Sequence, residues 1–265
     1  MIAPAETPMF THLEPVMGTV VGFTSPDPLP APGLEEAVRL LHEANRVFST
    51  WDASSPISRL RSGEVTRDRL AAADAAAIAD VLDRCLLARE ITSGAFDPWS
   101  MPGGVDPTGL VKGWAAGRAL AALTGAGASN VMINAGGDIA VSGRSPDGPW
   151  RVGVRHPAQP DSYAAVLEVT GAVATSGDYE RPGQLIDPST GRTSRASASA
   201  TVTGPDLDMA DALATGLAVA GRKLLPAIDA LAGYDAYLIT DDGHHYATPG
   251  MAFAPVGAHD REERR

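Results

Sequence analysis

A helix that is apolar on almost every side has to be enclosed by the rest of its fold. The run "MADALATGLAVAG" at 209–221 reads as such a helix over about 209–220, because Ala210, Leu213, Ala214, Leu217 and Ala218 leave it almost no polar face. Within it, Asp211 and Thr215 stand four residues apart and therefore leave the same face. A carboxylate with a hydroxyl makes a pair of hard oxygen ligands, suited to Mg²⁺ and poorly suited to zinc. At this spacing an Asp and a Thr ordinarily mark a solvated face. The apolar neighbours argue instead for burial, and a buried carboxylate needs a partner such as a metal ion. On these residues alone both readings stand.

Around that helix the sequence predicts others. Residues 34–48 place apolar side chains at 34, 37, 38, 41, 44 and 48, an amphipathic helix after a proline-rich loop. A second helix is expected over 75–91, ended near Gly94, and a third from about Lys112 to Leu123. Short β-type runs follow at 130–134, 138–143, 150–155, 164–169, 198–204 and 236–240, separated by turn residues such as Gly136, Gly137, Pro146, Asp147 and Gly148. Strands in runs beside separate helices indicate an α+β fold with mixed or antiparallel sheets packed against helices. With 265 residues and no Pro/Gly/Ser linker, the expectation is one domain.

Composition excludes several function classes. A net charge of −11 with scattered arginines argues against nucleic acid as a partner. The single cysteine, Cys85, excludes an internal disulfide or a cysteine metal cluster, and reads as a small buried hydrophobe on a helix. No basic-then-apolar start and no membrane-length apolar run are present, so no transmembrane segment is expected and the cytoplasm is the expected compartment. The tail "HDREERR" reads as a solvated end, and nothing in the sequence fixes the oligomeric state.

Three further runs carry chemistry. "VDPTGLVKGWAAG" at 105–117 combines glycines with Lys112. Gly109 and Gly113 permit close backbone approach to a ligand, and Lys112 offers a point charge to a phosphate. The bland reading is a turn into a helix with Lys112 solvated in its first turn. "SGAFDPW" at 93–99 joins an aromatic to an acid and a turn-forming proline, and "NAGGDIAVSG" at 134–143 has the form of a tight hairpin.

Taken in order, "EPVMGTVVGF", "FSTWDASSPISRL", "GAFDPW", "DPTGLVKGWA", "NAGGDIAVSG", "ATSGDYER", "LIDPSTGR" and "DMADALATG" resemble the blocks of the ApbE family of flavin transferases, from about Met17 to Gly221. The resemblance implies Mg²⁺-dependent transfer of FMN from FAD to a threonine hydroxyl of a target protein, with release of AMP. It implies a domain over 17–255, an N-terminal extension at 1–16 and a polar tail at 256–265. Flavin contacts would come from Met17, Trp51, Ala95, Phe96, Asp97, Asp106, Lys112 and Leu185. Metal ligands would be the Gly109 carbonyl, Asp211 and Thr215, and catalytic positions Asp97, Asp211 and Gln184. Three places depart from the family pattern. Gln184 stands where many relatives carry histidine, Gly117 where an aspartate is usual, and the segment after "FDP" is short. A glutamine cannot accept a proton as a histidine does. Two other outcomes share the same site, namely a flavin-binding protein without transfer and slow hydrolysis of FAD to FMN and AMP.

Overall fold

A computed structural model of the chain describes residues 9–177, 185–194 and 196–255. The chain opens with a hairpin, β1 (Phe10–Val16) and β2 (Thr19–Ser25), closed by Met17 and Gly18 with φ of 54° and 68°. Two consecutive residues with positive φ match the right-handed twist of paired strands. For the non-glycine Met17 that conformation costs on the order of 1 kcal/mol. The sequence reading missed this hairpin and placed residues 1–16 outside the domain. Its alternation is half-buried only, and Pro15 lies on what proves to be an edge strand, where a missing N–H is tolerated.

Among the described residues there are six α-helices: α1 (Ala31–Phe48), α2 (Pro56–Arg61), α3 (Ala72–Ile91), α4 (Thr108–Gly125), α5 (Leu207–Ala220) and α6 (Leu225–Asp229). The expected first helix begins three residues early, at Ala31, because Pro32 fits a first helical turn whose N–H has no partner. The third begins at Thr108 rather than near Lys112, so the glycine run is helix and not a loop. Asp106 Oδ1 accepts from Thr108 N at 3.0 Å and Thr108 Oγ1 at 2.7 Å, starting α4 despite the low helix propensity of glycine.

The remaining strands are β3 (Val131–Ala135), β4 (Asp138–Ser142), β5 (Trp150–His156), β6 (Gln159–Val169), β7 (Ala172–Ser176), β8 (Ile186–Asp187), β9 (Arg192–Thr193), β10 (Ser199–Gly204), β11 (Asp235–Ile239) and β12 (His245–Ala247). One eight-stranded sheet runs in the order β1-β2-β3-β4-β7-β10-β11-β12, with β5–β6 and β8–β9 as separate pairs. Every recorded pairing is antiparallel, which fits an α+β fold and not βαβ alternation. The Gly136–Gly137 hairpin is present as expected, with φ of 68° and 104° between paired Ala135 and Asp138.

The sheet is covered on both faces. On one side α1, α3, α4 and α5 build the main core, in which Phe23, Leu41, Leu110, Leu123, Ile133, Leu213 and Leu217 are sealed from solvent. On the other, β5–β6 lays Trp150, Val154, Leu167 and Val169 against Ile139, Val141, Val173 and Ile239. Each large side chain so buried stabilises the fold by about 1.5–3 kcal/mol before entropy is charged. As its composition demands, α5 runs between α4 and strands β7 and β10. Cys85 is buried on α3, and burial pushes its thiol up to about 12. No helix among the described residues is long and apolar enough to cross a membrane.

Candidate cation and dinucleotide site

The hairpin turns at 17–18 and 136–137 and the end of β7 lie at one end of the sheet's strands, because Val21 pairs with Ala135 and Asp138 accepts from Thr175 N at 3.4 Å. Near that end α4 and α5 pass side by side. Gly113 permits the crossing: a methyl there would stand 2.6 Å from Leu207 O and 2.7 Å from the Asp208 backbone. The close approach foreseen for Gly113 is therefore to α5, and not to a ligand.

Three charged side chains meet where the helices cross. Lys112 Nζ donates to Asp138 Oδ2 and lies 3.6 Å from Asp211 Oδ2. Lys112 is not the solvated first-turn residue of the bland reading. Both carboxylates are buried, at 4% exposure for Asp138 and 5% for Asp211. Burial pushes Asp211 up to about 8, the negative charge of Asp138 adds to this, and Lys112 works against it. For Lys112, burial alone would lower its value, but Asp211 and Asp138 outweigh it and hold the ammonium above its ordinary range.

Asp211 and Thr215 share a face as the spacing predicts. Thr215 Oγ1 is 3.1 Å from Ser176 Oγ, and Thr175 Oγ1 is 2.9 Å from Thr201 Oγ1, so hydroxyls from sheet and helix continue the polar cluster. Asp211 Oδ2 is buried and has no hydrogen-bond partner among the described residues. An ionised carboxylate oxygen in that condition is costly unless a cation completes it. Among the described residues no three His, Cys, Asp or Glu side chains converge as a metal site, so a cation here would draw on mixed oxygen donors. That donor set fits Mg²⁺.

Beside this centre, Phe96 packs against Gly109 so closely that a methyl on the glycine would sit 3.3 Å from the ring. Phe96 and Asp97 are buried, and Ala95 is half-buried next to them. Asp97 accepts from Arg89 Nε at 2.8 Å, Ser100 Oγ at 3.0 Å and Trp99 N at 3.0 Å. Burial raises its carboxyl, but these donors, Arg89 foremost, hold it below the usual carboxylate range. The short segment after it is strapped down. Asp106 N donates to Pro98 O at 2.9 Å, and Arg61 reaches Pro102 O at 3.0 Å, Gly103 O at 3.3 Å and Asp106 Oδ2 at 3.6 Å.

Met17 packs against the main core, and Leu185 is buried in it. Trp51 stands apart from this cluster, with its side chain exposed at 98%. Gln184 lies outside the described residues. The sequence reading placed Asp138 in the hairpin at 134–143, at the start of its second strand, and gave it, Ser176 and Arg61 no role in the site. The glycine pair before Asp138 was the one local signal, and its contact with Lys112 spans 26 positions.

A buried oxygen-donor cluster with a lysine thus sits at one end of the sheet of an antiparallel α+β fold. The family model described as "ApbE family" matches residues 17–103 and 101–238, and the chain belongs to that family. An FAD:protein FMN transferase of Rhodobacter capsulatus is 40% identical over 157 residues, 56% of this chain and 30% of the relative. One from Vibrio cholerae is 34% identical over 153 residues, 52% of this chain and 46% of the relative. The matched part thus spans less than half of either curated relative. The solved structure of the flavin transferase ApbE from Vibrio cholerae superposes with a TM-score of 0.78 at 24% identity, covering 91% of this chain and 97% of that one. An ApbE protein from Thermotoga maritima gives 0.77 at 22% identity over 91% and 97%. These two likenesses establish the fold.

Proposed function

We propose that the protein transfers FMN from FAD to a threonine hydroxyl of a target protein, with Mg²⁺, and releases AMP. The observation that carries this is Asp211 Oδ2, buried without a hydrogen-bond partner among the described residues beside the Lys112 ammonium, in a chain of the ApbE family. The similarity to FAD:protein FMN transferases of Rhodobacter capsulatus and Vibrio cholerae supports the reaction. In that step the threonine oxygen bonds to the phosphorus on the FMN side. The phosphoanhydride bond to AMP breaks, AMP leaves with the bridging oxygen, and the hydroxyl proton passes to base or solvent.

Asp211, Thr215 and the Gly109 carbonyl would hold the cation, which when bound supplies charge to both phosphates. Lys112 adds a fixed positive charge at the phosphates. Phe96 and Trp51 offer aromatic faces to the flavin, with Met17, Ala95, Asp106 and Leu185 shaping its pocket. Asp97 holds the Phe96 loop in register through Arg89. An amide at position 184, where many relatives carry histidine, can hydrogen-bond a hydroxyl but cannot take its proton.

Incubation with FAD, Mg²⁺ and a threonine-bearing target domain should add the mass of FMN to the target. FAD consumed to FMN and AMP with no adduct would replace this reading by hydrolysis, and FAD bound but unchanged would replace it by a binding protein. A second expectation concerns affinity. A site built around two phosphates should bind FAD more tightly than FMN, which has only one. Fluorescence quenching with equal dissociation constants for both would count against the pyrophosphate reading.

A further inference from the structure

We infer that Asp138 is a positioning residue that holds Lys112 off Asp211 and so keeps Asp211 Oδ2 open to a divalent cation. The inference rests on the Mg²⁺-dependent reading of the site. It starts from an asymmetry. One ammonium stands between two buried carboxylates, yet it donates to Asp138 and stays 3.6 Å from Asp211 Oδ2, within ion-pair range but outside hydrogen-bond reach. The consequence is that Oδ2 is left without a hydrogen bond from any described residue.

Backbone geometry decides which carboxylate wins. Asp138 opens β4 directly after the Gly136–Gly137 turn, paired with Ala135. That turn is braced by Gly137 N donating to Asn134 Oδ1 at 2.8 Å, and Asp138 Oδ1 receives Thr175 N. Lys112 reaches across from the second turn of α4, on a flexible stem that settles on whichever buried anion is best presented. Were Asp138 uncharged, the same ammonium would have a single buried carboxylate to satisfy it, and an unpaired buried charge is strongly disfavoured. It would close onto Asp211 Oδ2, and a divalent cation would then have to displace it.

This differs from simple attraction of the metal by a nearby negative charge, and a double-mutant cycle separates the two. Mg²⁺ is titrated by calorimetry into the full chain, freed of metal and without FAD, with circular dichroism to confirm folding. Asp138→Asn should weaken Mg²⁺ binding by about tenfold or more, as is typical when an outer residue that orders ligands is lost. In a Lys112→Met background the same Asp138→Asn change should have no further effect, because no ammonium remains to close onto Asp211. A loss that persists in the Lys112→Met background overturns the inference, as does wild-type affinity in Asp138→Asn. Asp138→Ser serves in the same cycle should the asparagine variant not fold. Wild-type protein that binds FAD but takes up no Mg²⁺ overturns the underlying metal reading instead, and the inference falls with it.

Discussion

Asp211→Asn is expected to abolish flavin transfer, by about 10³-fold or more, while the metal-free protein melts no lower than wild type at pH 8. The two halves have one cause. A carboxylate buried beside Asp138 and short of hydrogen bonds is poor for the empty fold and good for a fold holding a cation. Its folded-state value of about 8 lies above the ordinary 3.8, so the protonated form is favoured on folding. The stability associated with it is complete below the ordinary value. It is lost as pH rises toward the folded one, because the unfolded chain releases the proton first. Asparagine keeps the shape and removes that titration. Thermal melts in chelator from pH 5 to 8.5 should therefore fall less steeply for the variant, leaving it the higher-melting of the two at pH 8. Loss of function with retained or raised stability is the pattern of a functional strain site. Wild-type turnover would remove Asp211 from the metal ligands. A melt lowered at every pH would make the residue a structural one.

The sequence made parts of this site plain and hid others. Asp211 and Thr215 were legible because helical spacing is local, and the apolar neighbours on every side announced burial. The start of α4 was misplaced by four residues, since Gly109 and Gly113 weaken the helix signal that Asp106 and tertiary packing then restore. Lys112 was recognised as a charge of interest, but nothing local says where its ammonium goes. Its partners Asp138 and Asp211 lie 26 and 99 positions away, brought in by a hairpin turn and a helix crossing. The straps from Arg61 and Arg89 were illegible for the same reason. They are surface-type residues whose role depends on a loop docking against them.

The second large effect concerns the glycine that lets those helices cross. In an open helix, Gly→Ala stabilises by about 0.5–1 kcal/mol, because alanine loses less backbone freedom on folding. Gly117, one turn further along α4, is such a place, with nothing within 4 Å of an added methyl. Gly117→Ala should raise the melting temperature by about 1–3 °C. At Gly113 the same methyl meets Leu207 O at 2.6 Å and Asp208 Cα and N at 2.7 Å, atoms of backbone that cannot rotate away. Overpacking of this kind typically costs about 1–3 kcal/mol, more than the helix preference returns. Gly113→Ala should therefore lower the melting temperature by about 4–8 °C, opposite in sign to Gly117→Ala. The relief available is separation of α4 from α5, which draws the proposed ligand carbonyl of Gly109 away from Asp211 and Thr215 and should weaken Mg²⁺ binding in whatever protein remains folded. Matching melts for the two variants would mean that the helices part without cost. The place of Gly113 in its run would then belong to the ligand after all.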